Sequence, residues 1–239
     1  VLDGNMPFYL KNTKENLKQS LLTLSQRANA CIIIADEKDR RKLERIAGEQ
    51  MVNLFTIQEI KGLEYEYVFC YNLASTYKEG WEDIFSDNAR KNSKYRYYFN
   101  VFYVAITRAK ENLCIFEDSA IFLNRDDLLS DFIFVDEFDE DRLGINGHLS
   151  SSEEWREMGC KMEESGRFDL AIRYYEKAKV KVDVLRCKAR LEFEQGNHEY
   201  AIDELINLNE YRVAYDLALK IRDMSSMLIC RLMSEKADA

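Results

Sequence analysis

The sequence predicts an α/β domain built on a parallel sheet, followed by an all-α domain of helical repeats. Residues 30–35 (Ala-Cys-Ile-Ile-Ile-Ala) and 67–73 (Tyr-Val-Phe-Cys-Tyr-Asn-Leu) are largely apolar runs without alternation, as expected of strands buried on both faces. Charged helical stretches stand between such runs, and the order strand, helix, strand implies crossover connections in a layered α/β domain. After about residue 150 the chain has neither proline nor a β-rich run, and all of it reads as helical.

In chain order, residues 6–10 form a short strand, and Asn12 or Thr13 caps a helix running to about Arg27, with Leu17, Leu21, Leu22 and Leu24 at helical spacing. The strand at 30–35 leads into a charged helix over about 37–49 and a β-prone segment at 51–56. After the strand at 67–73, the polar stretch 76–91 is expected to be a loop. A helix rich in aromatic side chains follows from about Asn92, with Tyr95, Tyr97, Tyr98, Phe99, Phe102 and Tyr103 behind Lys91, Lys94 and Arg96. Rings interleaved with cations can stack on bases and hold phosphates, without base specificity; the plainer expectation is a helix docked on the sheet through its rings. A strand at 112–116 and a last one within 126–138, through Phe132-Ile133-Phe134-Val135, complete the sheet. The acidic run Asp136, Glu137, Asp139, Glu140 and Asp141, then Gly144, Gly147 and the serines 150–152, mark a linker, and Ser151 or Ser152 with a following glutamate looks like a helix start. The expected division is 1–145 and 150–239.

Composition narrows the function. With 46% hydrophobic residues over 239, the chain can bury a substantial core. A net charge of −9 argues against coating nucleic acid through general positive potential, leaving only a local basic groove. No run approaches the length of a membrane span and the first residues are unlike a signal peptide, so a protein inside the cell, cytoplasmic or nuclear, and away from membranes is expected. The six cysteines form no C-x-x-C pair and have only His148 and His198 as companions, so no metal site is expected.

Two stretches carry the chemistry. Residues 56–65 read Thr-Ile-Gln-Glu-Ile-Lys-Gly-Leu-Glu-Tyr, and residues 103–110 read Tyr-Val-Ala-Ile-Thr-Arg-Ala-Lys. In this order they resemble the last two motifs of superfamily 1 nucleic-acid helicases of the UvrD/Rep type, written T-x-H-x-x-K-G-L-E-F and Y-V-A-x-T-R-A-K. From the residues alone, the first motif begins where a strand ends, and ligands of parallel sheets gather at the carboxyl ends of strands. Gly62 suits either a close backbone approach to phosphate or a plain turn, and Arg108, near the end of the aromatic helix, offers a permanently charged fork at the domain edge. The resemblance implies the second of two RecA-like domains that clamp ATP between them. It makes Arg108 the arginine finger, places Glu64 at the ribose and Gly62 and Lys61 near the phosphates, and gives Thr56 and Gln58 to the backbone of a bound single strand, DNA in preference to RNA.

The sequence departs from that pattern in three places. Gln58 stands where the family has histidine, so it can hydrogen-bond but carries no proton or charge. Only some twenty residues separate the strand at 32–35 from the first motif, where UvrD-type enzymes carry a large extra domain. Tyr-Arg-Tyr-Tyr-Phe-Asn replaces the usual acidic approach to the second motif. The sequence also holds no G-x-x-x-x-G-K-[ST] loop. ATP and magnesium are therefore expected to be bound mainly by a first RecA-like domain upstream, with this chain a C-terminal part inactive alone. The other reading is a catalytically silent, helicase-derived scaffold.

In the second half, Trp155, Gly159, Ala171, Tyr175 and Ala178 are similar to the spacing of a tetratricopeptide repeat, with the alanines small where helices approach and Tyr175 between them. Gly196, Ala201, Leu205 and Leu208 echo the pattern after 30 residues, against the usual 34, and 211–233 supplies a third pair or a cap. Such arrays bury their core by stacking and offer a face to a protein partner.

Overall fold

The computed structural model describes residues 5–48, 51–85, 93–118, 130–145 and 149–237. They fall into two compact units, Val1–Ser150 and Ser151–Ala239. In the first unit β1 (Phe8–Leu10), β2 (Ala30–Ile34), β3 (Leu54–Thr56), β4 (Tyr65–Tyr71), β5 (Ala109–Phe116) and β6 (Ile133–Val135) form one parallel sheet in the order β3-β2-β4-β5-β1-β6. All five residues of β2 are fully buried, as the run without alternation requires. Around the sheet lie α1 (Lys14–Leu24), α2 (Glu37–Ala47), α3 (Lys78–Phe85) and α4 (Ser93–Ile106).

Local chemistry sets the element ends. Thr13 caps α1 by accepting from Asn16 N–H at 3.1 Å. Asp36 caps α2 by accepting from Lys38 and Asp39 N–H at 2.8 and 3.1 Å, and Gly48 closes it at φ 74°. Buried Asn53 donates to the Leu24, Arg27 and Ala30 carbonyls, tying the end of α1 to the start of β2. Leu17, Leu21 and Leu24 are buried as their spacing predicts, whereas Leu22 is exposed.

Two expectations are corrected. The stretch expected as a loop at 76–91 holds a 3-10 turn (Ser75–Tyr77) and α3; residues 86–92, Lys91 among them, lie outside the described residues. Trp81 accounts for the helix: it is buried and packs edge-on against Phe102 at 5.3 Å, and a Cβ on Gly80 would meet the Tyr98 ring at 2.4 Å. Tertiary burial here overrides polar local sequence. The acidic run after β6 is no free linker either. Asn16 donates to the Asp136 carbonyl and accepts from Phe138 N–H, Glu140 pairs with Arg27, and Leu143 and Ile145 are buried in the core of this unit. Of the last sheet segment, 126–129 lie outside the described residues.

The second unit contains α5 (Ser152–Glu164), α6 (Phe168–Ala178), α7 (Lys181–Glu194), α8 (His198–Asn207), α9 (Tyr211–Ile221) and α10 (Met224–Ala237), each packed on the next. Ser151 and Glu154 form a capping box at its start. The backbone repeats with a period of 30 residues. Gly166 and Gly196 are both left-handed, as are Lys179 and Asn209 at φ 59° and 62°. The bonds Arg167 N–H to Met162 O and Val180 N–H to Tyr175 O recur as Asn197 to Glu192 and Glu210 to Leu205. Gly159 lies under the Tyr175 ring, where a Cβ would come within 2.6 Å, and Ala171 and Ala178 are buried beside it. The third pair breaks the period because α9 has 11 residues where α7 has 14.

A buried ion cluster joins these helices. Glu163 accepts from Arg186 at 2.7 and 2.9 Å, from Arg190 at 3.0 Å and from the Tyr175 hydroxyl at 2.8 Å, and Arg186 also reaches Asp183 and Glu210. Burial alone would raise the Glu163 pKa, but the bonds from Arg186 and Tyr175 outweigh it and pull it down to about 2 from 4.5. Because the folded value is depressed, this carboxylate stabilises the fold above pH 4.5 and loses that contribution as pH falls towards 2. Replacing Glu163 by Ala strands Arg190 and takes two bonds from Arg186, which keeps Asp183 and Glu210, and should cost roughly 3 kcal/mol, the lower end for breaking a buried pair. Urea unfolding followed between pH 6 and 2.5 is expected to show a smaller loss of stability on acidification in the variant; equal curves would reject the assignment.

Candidate nucleotide and single-strand site

The first motif runs between opposite edges of the sheet. Thr56 ends β3 at the carboxyl edge, level with Ile34 and thus with Tyr71. Residues 57–64 then return the chain to the amino edge, where Glu64 precedes β4 and Arg108 precedes β5. This corrects the expectation that Lys61, Gly62 and Glu64 lie with Thr56 and Gln58 at the carboxyl ends of strands. The parallel register pairs Tyr65 with Ala109, so the end of one motif meets the end of the other.

At the amino edge the two motifs are bonded together. Tyr65 N–H donates to the Arg108 carbonyl at 3.0 Å, and Lys110 pairs with Glu64 at 3.5 Å, both side chains about half exposed. Arg108 is half-buried and its guanidinium is spread over its own surroundings. Nε donates to the Val104 carbonyl at 3.0 Å, Nη1 to the Leu63 carbonyl at 3.4 Å and Nη2 to the Thr107 hydroxyl at 3.1 Å. It thereby serves the last carbonyls of α4, a favourable place for a cation. Gly62 adopts φ 79° and a Cβ there would meet nothing within 4 Å, so its backbone requirement is conformational and open space lies over it. Lys61 and Gln58 are exposed.

Thr56 has a local occupation that the sequence reasoning missed, although Thr-x-x-Glu was legible as a capping box. Its N–H and hydroxyl both donate to Glu59 Oε2, at 2.7 and 2.9 Å, and Glu59 N–H approaches the Thr56 hydroxyl at 3.4 Å. Arg40 holds the same carboxylate while donating to the Leu54 carbonyl at 2.6 Å. Burial pushes the Glu59 pKa up, but the Thr56 N–H and the Arg40 charge carry it below the usual carboxylate value.

The carboxyl edge holds a second polar group with no sequence signal. Asn72, left-handed at φ 50°, donates to Asp118 at 2.6 Å and accepts from its N–H at 2.8 Å. Glu117 is buried and accepts from Ala74 and Ser75 N–H at 2.9 and 2.8 Å; desolvation raises its pKa to about 7 against those bonds. Both pairings organise the turn that leads into α3.

The aromatic helix divides its rings. Tyr98 and Phe102 pack towards α3, while Tyr97, Phe99 and Tyr103 are exposed. The expected docking on the sheet through the rings is thus corrected: the first two rings pack on the 3-10 turn and α3, and among the described residues of α4 the buried ones are Val101 and Ala105. The side chains of Lys94 and Tyr95 lie outside the described residues.

The capping reading of Thr56 has a measurable consequence. Thr56→Ala should lower stability by about 1 kcal/mol while Thr56→Ser retains it, as caps elsewhere do. Chemical denaturation of the three proteins checks this, and equal midpoints would remove the cap from the account.

No curated protein and no solved structure matches the chain. Both motifs lie within residues 9–119, which match the family model described as UvrD-like helicase C-terminal domain, so this part of the first unit is a C-terminal domain of the UvrD-like helicase kind.

Proposed function

We propose that the first unit is the second motor domain of an ATP-dependent helicase or translocase, whose phosphate-binding loop lies in a first RecA-like domain outside these 239 residues. The observation that carries this reading is the convergence of Arg108, Lys110, Glu64 and Gly62 where β4 and β5 begin. The residues fit the edge of a nucleotide: a guanidinium fork with a second cation nearby suits phosphate oxygens, an exposed carboxylate suits ribose hydroxyls, and the space over Gly62 is open. Bound ATP with magnesium would supply phosphoryl transfer chemistry. Arg108 would hold charge on the transferring phosphate, Glu64 would accept from the ribose, and Lys61 and Gly62 would line the phosphates.

The resting bonds of Arg108 go to neutral oxygens, two carbonyls and a hydroxyl. A phosphate adds a full negative charge that these oxygens lack and can take two parallel N–H bonds from the fork, so an arriving phosphate can draw it away from them. Thr56 and Gln58 stand apart from this edge and would meet the strand, Gln58 as a neutral hydrogen-bonding group. The capping role of Thr56 leaves Gln58 the freer of the two.

The second reading is a catalytically silent scaffold whose helical repeats bind protein partners. It draws on α10, where Met224, Leu228, Ile229, Leu232 and Met233 are all exposed. Replacing Arg108 by Ala in the full-length protein separates the readings. Under the motor reading, strand-stimulated ATP turnover should fall on the order of a thousandfold while nucleotide binding changes little. Unchanged turnover would overturn the finger, and a wild-type protein without turnover would favour the scaffold.

A further inference from the structure

We propose that Phe99 and Tyr103, with Arg96, form a stacking platform for single-stranded nucleic acid on the outer face of α4. This rests on the motor reading above and adds to it a strand contact that the resemblance gives to neither motif: Tyr103 opens the second motif, while Arg96 and Phe99 precede it. The three residues lie at i, i+3 and i+7, one stripe of a helix. Phe99 and Tyr103 are each 54% exposed, and their rings are nearly parallel, 16° apart, with centroids 6.2 Å from one another.

The helix sets the ring spacing, since four residues rise about 6 Å. At 6.2 Å the rings stand too close to hold a base between them, which would need about 3.4 Å on each side, so bases would stack on the exposed ring surfaces instead. Bases satisfy such a platform whatever their sequence, because each has a π-face. Arg96 is exposed, with no hydrogen bond or ion pair among the described residues, and stands about one turn from Phe99, where a backbone phosphate would follow the stacked base. The stripe also carries exposed Asn100 and Thr107, so it is amphipathic rather than a continuous apolar face. That favours a nucleic acid over a protein that would bury it as core. Tyr97, though exposed, is turned edge-on against Tyr77 and Tyr98 and is not part of the platform.

The stripe ends at Thr107, whose hydroxyl accepts from Arg108. A strand on α4 would therefore lie one residue from the fork assigned to phosphate, so strand and nucleotide would be sensed by one helix.

The test is equilibrium binding of fluorescein-labelled oligo-dT and oligo-rU to the 239-residue chain without nucleotide, read by anisotropy over a range of salt. The double variant Phe99→Ala/Tyr103→Ala is expected to bind at least about tenfold more weakly, since stacking contributes about 1–3 kcal/mol per base. Its salt slope should be unchanged, because rings release no counterions. Arg96→Ala should instead reduce the slope by about 0.7, the value for one phosphate on a single strand. Phe99→Trp should retain binding, and circular dichroism should show all four proteins equally folded, as expected for exposed positions. The platform is overturned if the chain binds neither oligonucleotide, or if the double variant binds as tightly as the parent. It is also overturned if light scattering shows a self-associated chain that the same substitutions dissociate, which would assign the rings to a protein contact. The motor reading is judged separately, by ATP turnover in the Arg108→Ala protein.

Discussion

Complete burial of the central strands is the constraint on which the first unit depends. Five residues of β2 without exposed surface, paired on one side with β3 and on the other with β4, need cover on both faces. The chain therefore has to cross from each strand to the next, through α1 to β2, through α2 to β3 and through the turns at 57–64 to β4, and every crossover places a connecting segment at one edge of the sheet or the other. The polar residues that matter sit at the strand ends these connections join: Asp36 after β2, Thr56 ending β3, Asn72 after β4, and Glu64 and Arg108 before β4 and β5. The sheet acts as a frame with two polar rims, one holding Asp36, Asn72 and Glu117 and the other Glu64 with Arg108, Lys110 and the left-handed Gly62.

The second unit reaches its order by another route. Each helix ends on a left-handed residue or a tight turn that sends the chain back along its predecessor, and two of those closures recur 30 residues later with the same backbone bonds. Packing then needs small residues at the crossings, which explains Gly159 beneath Tyr175. It also needs a partner for every buried charge, which Glu163 supplies to Arg186 and Arg190. The tetratricopeptide likeness and the shorter 30-residue period rest on the spacing of residues such as Trp155, Gly159 and Ala171; the structure adds the loss of that period at α9.

Much of the architecture was legible in the sequence because burial leaves a local trace. Residues 30–35 and 67–73 could hardly be anything but central strands, and Ser151 with Glu154 announced a helix start. Three things were hidden. α3 exists because Trp81 finds Phe102, a contact between positions 21 apart that a polar local sequence does not reveal. The acidic segment 136–141 looked like a linker because its charges dominate its composition, while the residues that anchor it, Leu143 and Ile145, are few. The position of the motif residues depended on which edge each connection reaches, and that is a property of sheet order; Thr56 and Glu64 are eight residues apart and sit at opposite rims. Glu59 and Glu117 were missed for a related reason, since a carboxylate that accepts backbone N–H groups has no signature beyond the capping pattern at Thr56.

The bond from Tyr65 N–H to the Arg108 carbonyl has a mechanical meaning. It belongs to a strand ladder that continues through Tyr67 and Asn112 to Tyr71 and Phe116, so the beginning of β4 and the beginning of β5 cannot slide past one another without breaking the middle of the sheet. The backbones of Glu64 and Arg108 consequently form one lever arm. Any backbone swing that carries Arg108 must carry Glu64 through the same angle, which places the fulcrum outside the span between them, while the guanidinium keeps its own side-chain freedom.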